Sequence, residues 1–199
     1  MNLPTTISSL EDAKAYFQSS GCSAFHMFRD EPELYRQYEA LGVSKDLEEA
    51  WKLESIEKSL ELLEQEDGDA DLLWSVHSNV ADLILNSRSV HLLERLLNAT
   101  RQAARRASNF HRLIIAETVV GRQDIAYQPG FVFFALGCGL NQVAQEFALL
   151  ARSLSATPLT PQDGAELALQ EFRNELEDRR LKLVSNLEAT IEACGLTLS

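Results

Sequence analysis

Along most of this 199-residue chain, apolar side chains return every three or four positions, in stretches that open on Ser, Asp or Thr. That period gathers apolar groups on one face of an α-helix, and the opening residues satisfy backbone N–H groups that a helix start leaves free. A half-buried strand needs a period of two, so the pattern confines the chain to an all-α fold. In "SSLEDAKAYF" Ser8 is the expected cap, with Glu11 three positions on. In "DEPELYRQYEALG" Asp30 caps, Pro32 and Glu33 suit a first turn, and Gly42 stops the helix. A third helix starts at Ser44, carries Leu53, Ile56, Leu60 and Leu63 on one face, and ends in the acidic run around Gly68.

Two further helical stretches cover 70–87 and 88–120, the second broken near Ser108 and Asn109. In it Ala103, Ala104 and Ala107 leave room for a neighbouring helix to approach. Gly121, Pro129 and Gly130 mark a loop, and "TPLTPQDG" sets Thr160, Pro161 and Asp163 as the start of a last helix to about residue 193. At about 1.5 Å per residue that helix spans roughly 48 Å. Its apolar face holds Leu169, Phe172, Leu176, Leu183 and Leu187, interrupted by Arg179 and Arg180. No repeat of fixed period is visible, so the expected architecture is a helical bundle of about six to seven helices with a long C-terminal helix. Residues 1–199 form a single domain in this reading, with 1–68 an acidic N-terminal subregion.

The most apolar segment, "PGFVFFALGCGLNQ" at 129–142, has three readings. A membrane span needs about 20 apolar residues, and here Asn141 and Gln142 cut the run short. A phosphate loop needs GxGxxG or GxxxxGK[ST] spacing, which "GCG" lacks. A buried helix beginning near Phe131 and continuing through Val143, Ala144, Phe147 and Leu154 explains most residues. Gly137 and Gly139 then point to close packing, with room for a small ligand as the alternative.

Thirty acidic against eighteen basic side chains give a formal charge of −12, which disfavours nucleic acid as a partner. The charge is segregated: 17 acidic and 6 basic residues fall in 1–71, 5 and 8 in 72–160, and 8 and 4 in 161–199. Cys22, Cys138 and Cys194 are odd in number and widely spaced, against a disulfide framework or zinc knuckle. With no basic leader ahead of an apolar block, a cytoplasmic location is expected.

Catalytic and metal motifs are not found. None of His26, His77, His91 and His111 has HExxH or Glu-x-x-His spacing. The run from Asp67 through Asp69 and Asp71 starts like a calcium loop, but Leu72 and Ser78 stand where Gly and Glu are needed. Arg101, Arg105 and Arg106 are an anion-binding candidate, with internal pairing to the acidic helices as the preferred alternative. Phe25, Phe28, Tyr35 and Tyr38 lie in a strongly aromatic, acidic block and are candidate partner contacts, joined by Glu48, Glu49, Glu57 and Glu61.

The expected function is therefore a protein–protein interaction module, regulatory, assembling or neutralising, that binds a basic protein partner and needs no cofactor or metal. Self-association through apolar helix faces is a further expectation. One alternative is a helical protein holding a small ligand or tetrapyrrole near Gly137, with His77, His91 or His111 as axial ligand. The other is a metal-dependent helical enzyme.

Overall fold

The computed structural model describes residues 5–65, 70–87, 89–122, 128–160, 163 and 170–196. Among them the chain forms ten α-helices: α1 Leu10–Ser19, α2 Ala24–Asp30, α3 Pro32–Ala40, α4 Lys45–Glu64, α5 Ala70–Leu85, α6 Leu93–Arg106, α7 Asn109–Val120, α8 Phe131–Gly137, α9 Asn141–Ser155 and α10 Gln170–Ala193. A single 3-10 turn, Val90–Leu92, precedes α6, and β1 Gly121–Arg122 pairs antiparallel with β2 Gln128–Pro129. The all-α expectation holds, but the count of six to seven helices does not. Short helices account for the difference.

Two expected caps move by one residue. Ser9, not Ser8, caps α1, accepting the Asp12 N–H at 3.1 Å, while the Asp12 carboxylate returns to the Ser8 N–H at 3.0 Å. Asp30 ends α2 and pairs with Arg29, and Glu31 precedes α3 without a side-chain cap bond. Ser44 caps α4 as expected, and at the expected break near Ser108 and Asn109 the Ser108 side chain caps α7. At the last connector, Asp163 accepts from the Thr160 N–H at 2.7 Å and hydroxyl at 2.9 Å. Gly68, Asp67, Asp69 and Leu169 lie outside the described residues.

The apolar segment is two helices where one was expected. Gly139 adopts φ +76°, and Leu140 N–H reaches back to Ala135 O at 2.8 Å, which closes α8 before α9 begins. Gly137 is exposed, and a Cβ built there meets nothing within 4 Å, so the expected close packing at this glycine is overturned. The close approach is at Gly130, where a Cβ would lie 2.2 Å from the carbonyl carbon of Val120 and 2.3 Å from Gly121 N. Gly130 thereby lets α8 start directly on the end of α7.

Helix α7 is the centre of the bundle, with His111, Leu113, Ile115, Ala116, Glu117, Val119 and Val120 all buried. It packs on α5, α8, α9 and α10. Its buried carboxylate, Glu117, takes two hydrogen bonds from the Arg179 guanidinium of α10. Arg180 bonds Glu177 at 2.5 Å and the Ser155 carbonyl at 2.8 Å. The two arginines that interrupt the apolar face of α10 thus tie it to α7 and to the end of α9, while Leu176, Leu183 and Leu187 fill the core beside them.

The buried apolar residues fall into two clusters. The larger joins α4 to α10; the smaller holds Ile7, Ala13, Tyr16, Phe17, Cys22, Met27, Tyr38 and Trp51. Helix α4 serves both: Leu47 and Trp51 enter the smaller cluster, whereas Leu53, Ile56, Leu60 and Leu63 enter the larger. At about 100° per residue these two sets point to roughly opposite sides of the helix.

Replacing Gly130 by Ala is expected to cost more than the roughly 1–3 kcal/mol usual for overpacking, because the obstructing atoms are backbone. Gly137→Ala should be neutral or gain up to about 1 kcal/mol. Urea unfolding midpoints of the two variants check this, and equal effects would remove the close contact from the account.

Candidate functional site

Among the described residues, the most exposed large apolar side chains include Phe25, at 67% exposure, and Phe28, at 59%. Their position follows from local folding. Ser23 caps the short helix α2 by accepting the His26 N–H at 3.3 Å, and Met27, fully buried, is the side chain α2 sends inward. Phe25 and Phe28, three apart, then share an outward face.

Phe25 tilts against the neighbouring His26 ring at 6.0 Å, and Phe28 begins a longer series. Phe28 meets Tyr35 edge-on at 5.6 Å, Tyr35 stacks on Tyr38 at 6.3 Å, Tyr38 stacks on Phe17 at 6.2 Å, and Phe17 tilts against Trp51 at 6.1 Å. An aromatic ladder therefore runs from the surface into the smaller core. Tyr16 holds its base, donating its hydroxyl to the Met27 carbonyl at 3.3 Å and the Glu31 carbonyl at 3.2 Å. Tyr38 donates to Glu48 at 2.6 Å; burial first, and then this carboxylate, push its phenol well above the ordinary range. Tyr38, expected among the partner contacts, is only 4% exposed and is a core ring. Tyr35 is half-buried and joins the two layers.

The four glutamates expected to form one acidic surface are dispersed. Glu48 receives Tyr38, Glu49 pairs with Lys52 at 3.0 Å, and Glu57 pairs with Arg95 of α6. Glu61 is exposed. Two further carboxylates of this segment, Glu31 and Glu39, were singled out by no spacing rule. Glu31 follows Phe28 by three residues, and Glu39 accepts the Tyr35 hydroxyl.

The arginines are engaged internally, though mostly not with the acidic N-terminal helices. Arg101 pairs with Glu146 of α9 at 2.5 Å, and Arg105 bonds Gln102 on its own helix at 3.3 Å. Arg106 donates to the Leu63 carbonyl at 2.5 Å, closing the end of α4. Arg101 and Glu146 also line a groove of about 530 Å³ with Glu94, Asn98 and Gln142. A second groove, of about 560 Å³, lies between Leu136, Gln145 and the Cys194–Leu196 end of α10. Neither includes Gly137 or any histidine.

The histidines are scattered in role. His91 is exposed. His111 is buried with Nδ1 2.7 Å from the Ser108 hydroxyl and its ring against Phe110. His77 is fully buried edge-on to Phe131 at 6.4 Å, and neither ring nitrogen has a hydrogen-bond partner among the described residues. No three His, Cys, Asp or Glu side chains among the described residues gather closely enough to hold a metal ion. Cys22 is buried and sits 3.5 Å from the Ser55 hydroxyl; burial pushes its thiol pKa up, away from nucleophilic use. No helix among the described residues is long and apolar enough to cross a membrane.

Burial pushes the His77 pKa down from 6.5 to about 4. The folded state therefore holds this ring neutral, and its contribution, full above pH 6.5, is lost progressively as pH falls toward 4. Depressed carboxylates such as Glu146 and Glu177 add their own loss only below about 4.5. His77→Met should raise stability at pH 7 by about 1 kcal/mol, since it removes an unsatisfied buried polar group. It should also flatten the dependence between pH 6.5 and 4.5, read from urea midpoints; an unchanged slope would contradict the neutral, unpartnered ring. No protein-family model matches the chain, nor does any curated protein or solved structure.

Proposed function

We propose that this protein is a protein–protein interaction module whose contact surface is built by α2 and α3 around Phe25 and Phe28, with Tyr35 behind them. One observation carries the reading: Phe25 and Phe28 stand exposed three residues apart on α2, and Phe28 forms the outer end of a packed ladder of rings. Scattered exposed apolar residues are ordinary, but an exposed pair of rings on one helix face, one of them packed from below, is the form that binding anchors take. Rigid rings lose little conformational freedom on association, so more of their burial is realised as affinity. The segregation of charge, with 17 acidic and 6 basic residues in 1–71, favours a basic partner and a salt-dependent encounter.

Glu48, Glu49 and Glu57 are bound within the fold, so their contribution is to hold the platform, and the encounter charge falls to Glu31, Glu39 and Glu61. A double substitution, Phe25→Ser with Phe28→Ser, should weaken binding of a genuine partner by about 30-fold or more, the scale of an interface hot spot. Both side chains are exposed, so the melting temperature should stay close to wild type. The measurement is partner retention by wild type and variant side by side, with thermal unfolding of each. Undiminished retention by a folded variant would remove this surface from the function.

A further inference from the structure

We infer that the occupant of the α2–α3 surface is a basic amphipathic helix, which lays aliphatic side chains on Phe25 and Phe28 and carries a Lys or Arg about one turn further on, toward Glu31 and Glu39. This rests on the docking reading above and commits it to one kind of partner. Charge selects the sign. Arg29 neutralises Asp30 at 2.5 Å and Arg36 neutralises Glu33 at 3.0 Å, so the positive charge of this segment is already spent on two of its four carboxylates. Glu31 is exposed and has no ion pair among the described residues. Glu39 is exposed and receives only the Tyr35 hydroxyl. Two carboxylates without an ion pair among the described residues thus accompany the rings, Glu31 at the junction of α2 and α3, three residues after Phe28, and Glu39 on α3, four residues after Tyr35.

Backbone chemistry selects the helix. A segment seated on apolar rings must satisfy its own N–H and C=O groups or borrow partners from a sheet edge. The β pairing among the described residues is two residues long, Gly121–Arg122 with Gln128–Pro129, and belongs to the connection between α7 and α8. No strand edge is offered by α1 to α4. A helix arrives with its backbone already bonded, and anchors at i and i+3 or i+4 match the three-residue step between Phe25 and Phe28.

The test uses the full chain and three synthetic peptides of about five helical turns. One has Leu at i, i+3, i+4 and i+7 with Lys on the flank, one has Glu in place of every Lys, and one is a scrambled Leu/Lys sequence without periodicity. Affinities are measured by calorimetry for wild type, F25A/F28A and E31Q/E39Q, with chemical shifts locating the contact and sedimentation giving the oligomeric state. The periodic Lys peptide should bind wild type, lose about 30-fold or more on F25A/F28A, and lose about three- to tenfold on E31Q/E39Q with a weaker salt dependence. Equal binding of the scrambled peptide would overturn the helix, and equal binding of the Glu peptide would overturn the basic character. If no peptide binds and F25A/F28A changes the sedimentation of the protein itself, the occupant is a second copy and the inference fails. If no peptide binds while partner retention still depends on Phe25 and Phe28, the inference fails but the docking surface survives; if retention ignores both rings, both fall.

Discussion

Helix α4 has to be apolar on two opposite sides, and the arrangement of the other helices follows from that requirement. Its first half closes the cluster around Phe17 and Tyr38, and its second half enters the main bundle. A helix of one uniform face would leave α1 to α3 without a floor. Polar links reinforce the division: Lys14 of α1 pairs with Glu54 at 2.5 Å, Gln18 donates to the Trp51 carbonyl at 3.0 Å, and on the other side Lys52 reaches the Asn86 carbonyl at 3.2 Å. The exposed links contribute little energy each, but they fix the azimuth of α4, which decides where α2 and α3 are held.

Inside the bundle, two polar side chains show the two ways of being buried. Glu117 is paired, since Arg179 meets both of its oxygens, and removing Arg179 would leave a buried carboxylate stranded. His77 has no such partner and is kept neutral by its surroundings. The first pins α10 to the central helix. The second makes the contact of α5 with Phe131 less favourable than an apolar residue would. Nothing in the observed geometry gives His77 a compensating role.

Helix content was legible because periodicity and capping are local: the start at Ser44 and the break near Ser108 and Asn109 are both readable from neighbouring residues. Helix termination inside apolar runs was not. Gly139 takes a left-handed conformation only because Leu140 bonds back to Ala135, and the same residue can sit within a helix at modest cost, so sequence does not choose between them. Gly137 and Gly130 reversed their expected roles for a related reason: which glycine touches a neighbour depends on the docking of α8 on α7, a long-range outcome. At the surface, aromatic content marked the block that carries the exposed rings but could not separate Phe25 and Phe28 from Tyr38, since α3 turns Tyr38 toward Phe17. Counting charges does not show which acids have partners: Arg95 takes Glu57 from another helix, while Glu31 is exposed and has no ion pair among the described residues.

The ladder of rings ends on Trp51, and this has an optical consequence. The chain has two tryptophans: Trp51, 6% exposed in the smaller cluster, and Trp74 on α5, 39% exposed beside His111. Each indole therefore reports on a different body of packing, the shielded one on the platform and the half-wet one on the bundle. With Trp74 replaced by Phe, the remaining emission would follow the platform alone. Loosening of α1 to α3 ahead of the bundle would then shift that emission to longer wavelength while helix content stayed high, because most of the helical residues lie in α4 to α10.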